Sequence, residues 1–133
     1  MFRKLMLLAT AGMLAIGPAV AAEKVKIGFV TTITTPAGVI GKDMVDAVNL
    51  AVKDIGGKMA GLEVDLIIED DGFKPAIGKQ KTDKLVKQND VDFVAGFIWS
   101  HVLLASQKSA LDAGKFLISS NACLLYTSDA AAE

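Results

Sequence analysis

The stretch Leu62-Glu63-Val64-Asp65-Leu66-Ile67-Ile68-Glu69 carries the pattern that decides the fold. Its second half, Leu66-Ile67-Ile68, places apolar side chains on both faces of an extended segment, which is typical of a central parallel strand. Asp70-Asp71-Gly72 ends this strand. Pro75 then suits the first turn of a helix over 75–88, because the first turn does not need the N–H that proline lacks. The segment therefore predicts a strand followed closely by a helix.

Strand and helix also alternate on the N-terminal side of this stretch. Val25 to Val30 is short and rich in β-branched residues, which predicts a buried strand. The breakers Pro36, Gly38 and Gly41 predict a loop over Thr31–Gly41. A helix is predicted over Lys42–Ile55, ended by Gly56-Gly57. Apolar residues at three- and four-residue steps place one face of this helix inward: Met44, Val48, Ala51, Val52 and Ile55.

The C-terminal side continues the alternation. A third strand is predicted over Val91–Phe97, a third helix over Ser100–Ala113, and a fourth strand over Phe116–Ile118. The candidate core residues of the third helix are Leu103, Leu104, Ala110 and Leu111.

The resulting order, β-α-β-α-β-α-β, predicts an α/β fold with a parallel sheet and helices on both faces. Such sheets bind ligands outside the carboxyl ends of their strands. Three segments are therefore expected to form a site: Thr31–Gly41, Gly96–His101 and Ser119–Ala122.

Residues 1–22 have the three-part pattern of a cleavable secretory signal peptide. Arg3 and Lys4 precede an apolar run over Leu5–Ile16, and Ala19-Val20-Ala21-Ala22 offers small residues for cleavage. The run is shorter than the roughly 20 residues that cross a bilayer. The rival interpretation is an uncleaved membrane anchor. We expect cleavage and export to the periplasm, without a lipid anchor because no cysteine lies near the cleavage site.

The other end of the chain is expected to be foreign to the natural protein. Cys123 to Ala131 resembles the translated end of a sequencing-library adapter, and the alternative is a natural strand with a short polar end. The prediction is a tail over 123–133 that carries no function. The natural sequence would then continue differently beyond Ala122, and the credible domain is 23–122.

Composition and motifs argue against nucleic-acid binding and catalysis. The hydrophobic fraction of 52% can form a core, and a formal net charge of −1 gives no field that attracts nucleic acid. The chain has no glycine-rich phosphate-binding motif and no nucleophile elbow. Its one histidine, His101, cannot form a zinc-binding cluster. We expect no enzyme activity and no cofactor.

The end of the third strand supplies the candidate ligand-binding residues. Ser100 lies at the start of a helix, where the amide groups and a partial positive charge attract a carboxylate. The alternative is a plain helix N-cap. Trp99 is either a pocket wall or a core residue under the loop. His101 is either a ligand contact or a solvated first-turn residue.

Two charged clusters are interpreted as structural. The acids Glu69-Asp70-Asp71 could suggest a metal site, but acids at a strand end are more typical of turn and cap chemistry. The lysines at 79, 81, 84 and 87 are interpreted as a solvated helix face.

Four segments together resemble a known family. They are Val25-Lys26-Ile27-Gly28, Thr35-Pro36-Ala37-Gly38-Val39-Ile40-Gly41, Glu69-Asp70-Asp71 with Lys74-Pro75, and Val94-Ala95-Gly96 running into Ser100. The second resembles a G-P-x-A-x-x-G loop, with Thr35 in place of the first glycine. Their order, behind a secretory leader, resembles the leucine/isoleucine/valine-type periplasmic binding proteins of bacterial ABC transporters.

This resemblance implies two Rossmann-like lobes joined by a hinge, with the ligand trapped between them. The chain would be most of the N-terminal lobe. The resemblance further implies that the hydroxyl of Ser100 holds a ligand carboxylate and that the backbone of Asn121 faces the ligand amine. The next family contact would fall at Cys123, inside the suspected tail. The implied partners are a small carboxylate, such as a branched-chain amino acid, and the membrane permease of an ABC transporter.

Three positions depart from the family pattern. Ile40 stands where the family often has an aromatic residue, while Trp99 and His101 stand where it often has small residues. Some members with a more similar loop look like binders of aromatic carboxylates. An aromatic-acid-binding transport protein is therefore one alternative, and the ligand-binding ectodomain of a receptor is another. A secreted enzyme and a DNA-binding regulator are disfavoured.

Overall fold

Strand β1 (Lys24–Thr31) is the central strand of a five-stranded sheet in the computed structural model, which describes residues 23–122. It pairs in parallel with β3 (Leu62–Asp70) on one side and β4 (Phe93–Gly96) on the other. Strand β5 (Phe116–Ser119) extends the sheet in parallel beyond β4. The predicted α/β class is confirmed. The predicted leader, 1–22, and the adapter-like tail, 123–133, lie outside the described residues.

A two-residue strand, β2 (Lys58–Met59), was not predicted. It pairs antiparallel with β3 and gives the sheet the order β2-β3-β1-β4-β5. The turn between the two strands places Ala60 at φ 52° and Gly61 at φ 85°. Tight hairpins need positive φ at both central positions, and they usually have Asn or Asp before Gly. Ala60 gives no such signal, so the sequence pattern missed the hairpin.

Helices cover both faces of the sheet. They are α1 (Gly38–Asp54), α2 (Pro75–Lys84), a π-helical turn over Leu85–Asn89 that continues α2, and α3 (Ser100–Asp112). Gly28 of β1 faces Leu85, whereas its neighbour Phe29 borders a groove shared with Met44 of α1. Because successive strand residues point to opposite faces, α1 lies on one face and α2 on the other. No helix within residues 23–122 is long and apolar enough to cross a membrane.

The core lies between the sheet and helices α2 and α3. Leu103 and Ala110 are buried in it, as predicted, but Leu104 and Leu111 are 47% and 59% exposed. The buried stripe of α3 is rotated by about one residue from the predicted one, because Val102 and Ser106 pack against Gly78 of α2. The buried cluster consists of Val30, Leu85, Val86, Val91, Val94, Phe97, Val102, Leu103, Ala110 and Ala122.

Helix α1 begins at Gly38, four residues before its predicted start. Gly38 and Gly41 were read as breakers, but both are buried inside the first turn. A Cβ atom at Gly41 would lie 1.7 Å from the carbonyl oxygen of Thr32. These glycines therefore serve a close approach between helix and strand end rather than a loop.

Strand β5 is an edge strand of the sheet. Within residues 23–122 it pairs with β4 alone. Phe116 and Ile118 are 71% and 58% exposed, and Ile118 borders the groove of about 330 Å³ on the α1 face. Within residues 23–122 the α1 face of the sheet is thus less covered than the α2 face.

Glu69, at the end of β3, is a buried carboxylate paired with two lysines of α2. Its oxygens lie 2.7 Å from Nζ of Lys81 and 2.5 Å from Nζ of Lys84, and the residue is 7% exposed. Burial raises the pKa of Glu69, but hydrogen bonds and charges from the two lysines outweigh it and hold the pKa below 4.5. Two members of the lysine run therefore help to hold α2 on the sheet.

Replacing Glu69 by glutamine is expected to lower the free energy of unfolding at neutral pH by about 1–3 kcal/mol, the range for hydrogen bonds to charged groups. Because the folded-state pKa is depressed, this stabilisation is present above the unfolded-state pKa. It is lost as the pH falls through the folded-state pKa. Urea unfolding across that range should show the difference between the two proteins shrinking on acidification.

The control is Glu63→Gln, which removes an exposed pair with Lys24 at 3.4 Å. Exposed pairs contribute at most about 1 kcal/mol. If Glu69→Gln lowers the free energy of unfolding by the same amount at every pH, the charge of Glu69 does not stabilise the fold.

Candidate functional site at the carboxyl edge of the sheet

The segments that follow β1, β4 and β5 meet at one edge of the sheet, as predicted. The indole Nε1 of Trp99 donates to Oγ1 of Thr32 at 3.0 Å. The amide of Phe97 donates to the carbonyl of Val30 at 2.6 Å, and the amide of Ala122 donates to the carbonyl of Phe97 at 3.2 Å. These bonds place the start of α3 between the other two segments.

Ser100 is the first residue of α3, and Trp99 is the N-cap, with φ −110° and ψ 128°. The carbonyl of Trp99 accepts the amides of both Val102 and Leu103, at 3.1 and 3.0 Å. The predicted alternative of Ser100 as the N-cap is therefore off by one residue. Ser100 is half-buried in the first turn, where the helix presents its amide groups and the positive end of its dipole.

Trp99 packs as the core interpretation predicts, and its role as a wall of the ligand pocket stays a prediction. Its half-buried ring packs against the core cluster, while its N–H is bonded to Thr32 at the sheet edge. The ring is therefore fixed from two sides and borders the start of α3. His101 follows as an exposed residue on the first turn.

Phe73, which sequence reasoning missed, lies at the same edge. Its ring stands perpendicular to Trp99 at a centroid distance of 4.7 Å and perpendicular to His101 at 5.2 Å. Perpendicular packing of this kind is favourable because the positive edge of one ring meets the negative face of another. The loop after β3 is thus a fourth segment of the candidate site.

Asp70 and Asp71 organise that loop, which confirms their interpretation as turn chemistry. Oδ1 of Asp70 accepts the amides of Ile33 and Gly72, and its Oδ2 accepts the hydroxyl of Thr34. Burial raises the pKa of Asp70, but these hydrogen bonds outweigh it and lower the pKa overall. In the described part of the chain no group of three His, Cys, Asp or Glu residues could hold a metal ion.

Ile40 and Asn121 lie at the margins of the same edge. Ile40 is in the first turn of α1 and 43% exposed. Asn121 is exposed in the bend after β5, next to Ala122, whose amide is bonded to Phe97. The five candidate residues thus all lie on segments that follow the carboxyl ends of strands, and their contact with a ligand stays a prediction.

Comparison with known proteins identifies the family of this chain. A family model described as periplasmic binding protein matches residues 24–132. The chain belongs to this family. A comparison with curated protein sequences gives no match.

Solved structures of substrate-binding proteins of ABC transporters resemble this chain. An ABC transporter substrate-binding protein from Sphaerobacter thermophilus is 31% identical with a TM-score of 0.72, and the match covers 75% of this chain. A branched-chain amino acid transporter substrate-binding protein from Streptococcus pneumoniae, in complex with isoleucine, is 28% identical with a TM-score of 0.72 over 75% of this chain. A solute-binding protein from Rhodopseudomonas palustris, in complex with 3,4-dihydroxybenzoic acid, is 27% identical with a TM-score of 0.72 over 74%.

The proteins in these structures are much longer than the matched region. The matches cover 27%, 29% and 27% of the three chains, respectively. The chain therefore corresponds to about a quarter of the length of these relatives.

Proposed function

We propose that residues 23–122 form the N-terminal lobe of a substrate-binding protein of an ABC transporter. This lobe would help to capture a small carboxylate, such as a branched-chain amino acid, in the periplasm. The observation that carries the proposal is the position of the α3 start. Ser100 lies at the carboxyl edge of the sheet, between the segments that follow β1, β3 and β5. That edge is where α/β sheets bind ligands.

The chemistry of the edge suits an organic acid. The hydroxyl of Ser100 and the backbone amides that precede Val102 and Leu103 at the start of α3 are proposed as donors for the two carboxylate oxygens. The backbone near Asn121 supplies a carbonyl for a ligand amine, while Trp99, His101 and Ile40 border the space for the ligand side group. None of these roles needs a cofactor, and we assign the lobe no catalytic step.

The aromatic surface beside Ser100 favours a second ligand, an aromatic carboxylate. Phe73, Trp99 and His101 form one cluster of rings at the site. The relative from Rhodopseudomonas palustris, described in complex with 3,4-dihydroxybenzoic acid, supports this alternative.

The proposed setting follows from the family and from the leader-like residues 1–22. We propose that the protein is exported, that a second lobe closes over the ligand, and that the loaded protein delivers it to a membrane permease. The alternative is a receptor ectodomain with the same lobe. A transmembrane segment in the full-length gene product would favour that alternative, and transport of the ligand in a permease-dependent uptake assay would exclude it.

Replacing Ser100 by alanine is expected to weaken carboxylate binding by about 1–3 kcal/mol, because a hydrogen bond to a charged group is lost. Isothermal titration calorimetry on the protein that carries both lobes measures this loss. Ser109→Ala is the matched control, since Ser109 lies near the other end of α3 and is buried. Equal affinity in the Ser100 variant and the parent protein would limit Ser100 to a structural role.

A further inference from the structure

Phe73 holds an uncommon backbone conformation at the candidate site. Its φ is 64°, in the left-handed region that residues with a bulky side chain rarely adopt. Its amide donates to Oδ1 of Asp71 at 2.8 Å, which fixes the turn after β3. This turn presents the ring at the carboxyl edge with 44% of the residue exposed.

The ring of Phe73 contacts both sequence neighbours of Ser100. The planes of Trp99 and His101 are tilted by 35° at a centroid distance of 6.4 Å, and both stand at 85° to Phe73. A flat ligand ring stacked parallel to Phe73 would stand nearly edge-on to both Trp99 and His101. Both stacked and perpendicular contacts are favourable between aromatic rings. A saturated ring of similar size gains contact area only.

Hydrogen bonds hold this aromatic surface in place. Nε1 of Trp99 donates to Oγ1 of Thr32 at 3.0 Å, and Oγ1 of Thr32 donates to Oδ1 of Asp71 at 2.5 Å. Oδ1 of Asp71 also accepts the amide of Phe73. Three hydrogen bonds and one ring contact therefore connect Phe73, Asp71, Thr32 and Trp99 in a closed circuit. Thr32 and Asp71 are fully buried, so the circuit is shielded from solvent. A surface fixed before binding loses less conformational freedom when a ligand arrives.

We propose that Phe73 is a specificity-determining residue of this site, which makes the lobe prefer carboxylates that carry a flat ring. The inference rests on the proposed function, since it assumes that the carboxylate is held at the start of α3. Phe73, from the loop after β3, would be the residue that discriminates between ligands with a flat ring and ligands with a saturated ring.

The test compares benzoate with cyclohexanecarboxylate, two carboxylates of similar size that differ in the aromaticity of the ring. The 133-residue chain has one tryptophan, so the indole N–H resonance of Trp99 reports on the site without ambiguity. Titrations followed by two-dimensional ¹H–¹⁵N NMR give the dissociation constants. The variant is Phe73→Leu, which keeps apolar bulk but removes the ring. Phe116→Leu is the matched control, because Phe116 is an exposed phenylalanine at the amino end of β5.

We expect Phe73→Leu to weaken benzoate binding by roughly three- to tenfold and to leave cyclohexanecarboxylate within about twofold. Phe73→Tyr should restore the benzoate affinity, and Phe116→Leu should change neither. Equal changes for the two ligands, or none, would overturn the role of Phe73 while leaving the carboxylate site intact. Because the ligand meets only one lobe in this chain, both titrations are carried to high millimolar ligand. If neither ligand shifts the Trp99 resonance of the parent chain there, the carboxylate site itself is overturned. A Phe73→Leu spectrum that has lost dispersion throughout would assign Phe73 to folding and overturn the proposal as well.

Discussion

Replacing Phe97 by alanine is expected to lower the free energy of unfolding by about 3–5 kcal/mol, the range for truncating a buried aromatic residue. Phe97 is fully buried in the core and lies directly after β4. Its amide and carbonyl also join the ends of β1 and β5, through Val30 and Ala122. Because small domains are stable by only about 5–15 kcal/mol, this one change removes a large share of the total.

Urea unfolding, followed by the fluorescence of the single tryptophan, measures the loss at Phe97. The matched control is Phe116→Ala, since Phe116 is 71% exposed although it stacks on Phe93 at 5.9 Å. We expect the control to lose no more than about 1 kcal/mol, as is usual for surface changes. Similar losses in both variants would mean that the core does not lie between the sheet and α3.

Replacing Gly41 by alanine is expected to cost about 3 kcal/mol, near the upper end of the range for overpacking. The new Cβ would lie 1.7 Å from the carbonyl oxygen of Thr32 and 3.0 Å from Oγ1 of Thr31. The carbonyl of Thr32, directly after β1, belongs to the backbone and cannot move aside as a flexible side chain can. The first turn of α1, which carries Ile40, would have to shift away from the candidate site.

Gly57→Ala is the matched control for this change. Gly57 has φ 69°, and a Cβ there meets nothing within 4 Å. Its cost comes from the left-handed conformation alone, about 1–2 kcal/mol. Thermal unfolding followed by circular dichroism should rank the Gly41 variant clearly below the Gly57 variant. The reverse order would show that α1 can accommodate a side chain against β1.

The order of strands and helices could be predicted from the sequence because apolar runs and breakers alternate at short intervals. Local sequence patterns gave the wrong helix start and the wrong buried face where tertiary contacts determine them. Gly38 and Gly41 resemble loop residues, but they lie inside α1 because its first turn touches the carbonyls of Ile33 and Thr32. The buried stripe of α3 is likewise set by Gly78 of a neighbouring helix, which no pattern within α3 reveals.

Part of the candidate site could be predicted from the order of the strands. The segments after β1, β4 and β5 could be placed together, since the carboxyl ends of parallel strands share one edge. Phe73 belongs to the same edge by the same rule, because it follows β3. It was overlooked because phenylalanine in a loop matches no motif and is a poor candidate for positive φ. An aromatic residue in any loop at this edge is the signal that could have found it.

Within residues 23–122, β5 is an edge strand of the sheet, and this edge can drive association at high concentration. An edge strand exposes a row of unpaired backbone N–H and C=O groups that can pair with another chain. Natural proteins often protect edge strands with lysine or proline. The segment Phe116-Leu117-Ile118-Ser119 contains neither. We therefore expect edge-to-edge pairing of the sheet between copies when residues 23–122 are prepared on their own. A charged residue in place of Ile118, which is 58% exposed, is the first change to make for a soluble preparation.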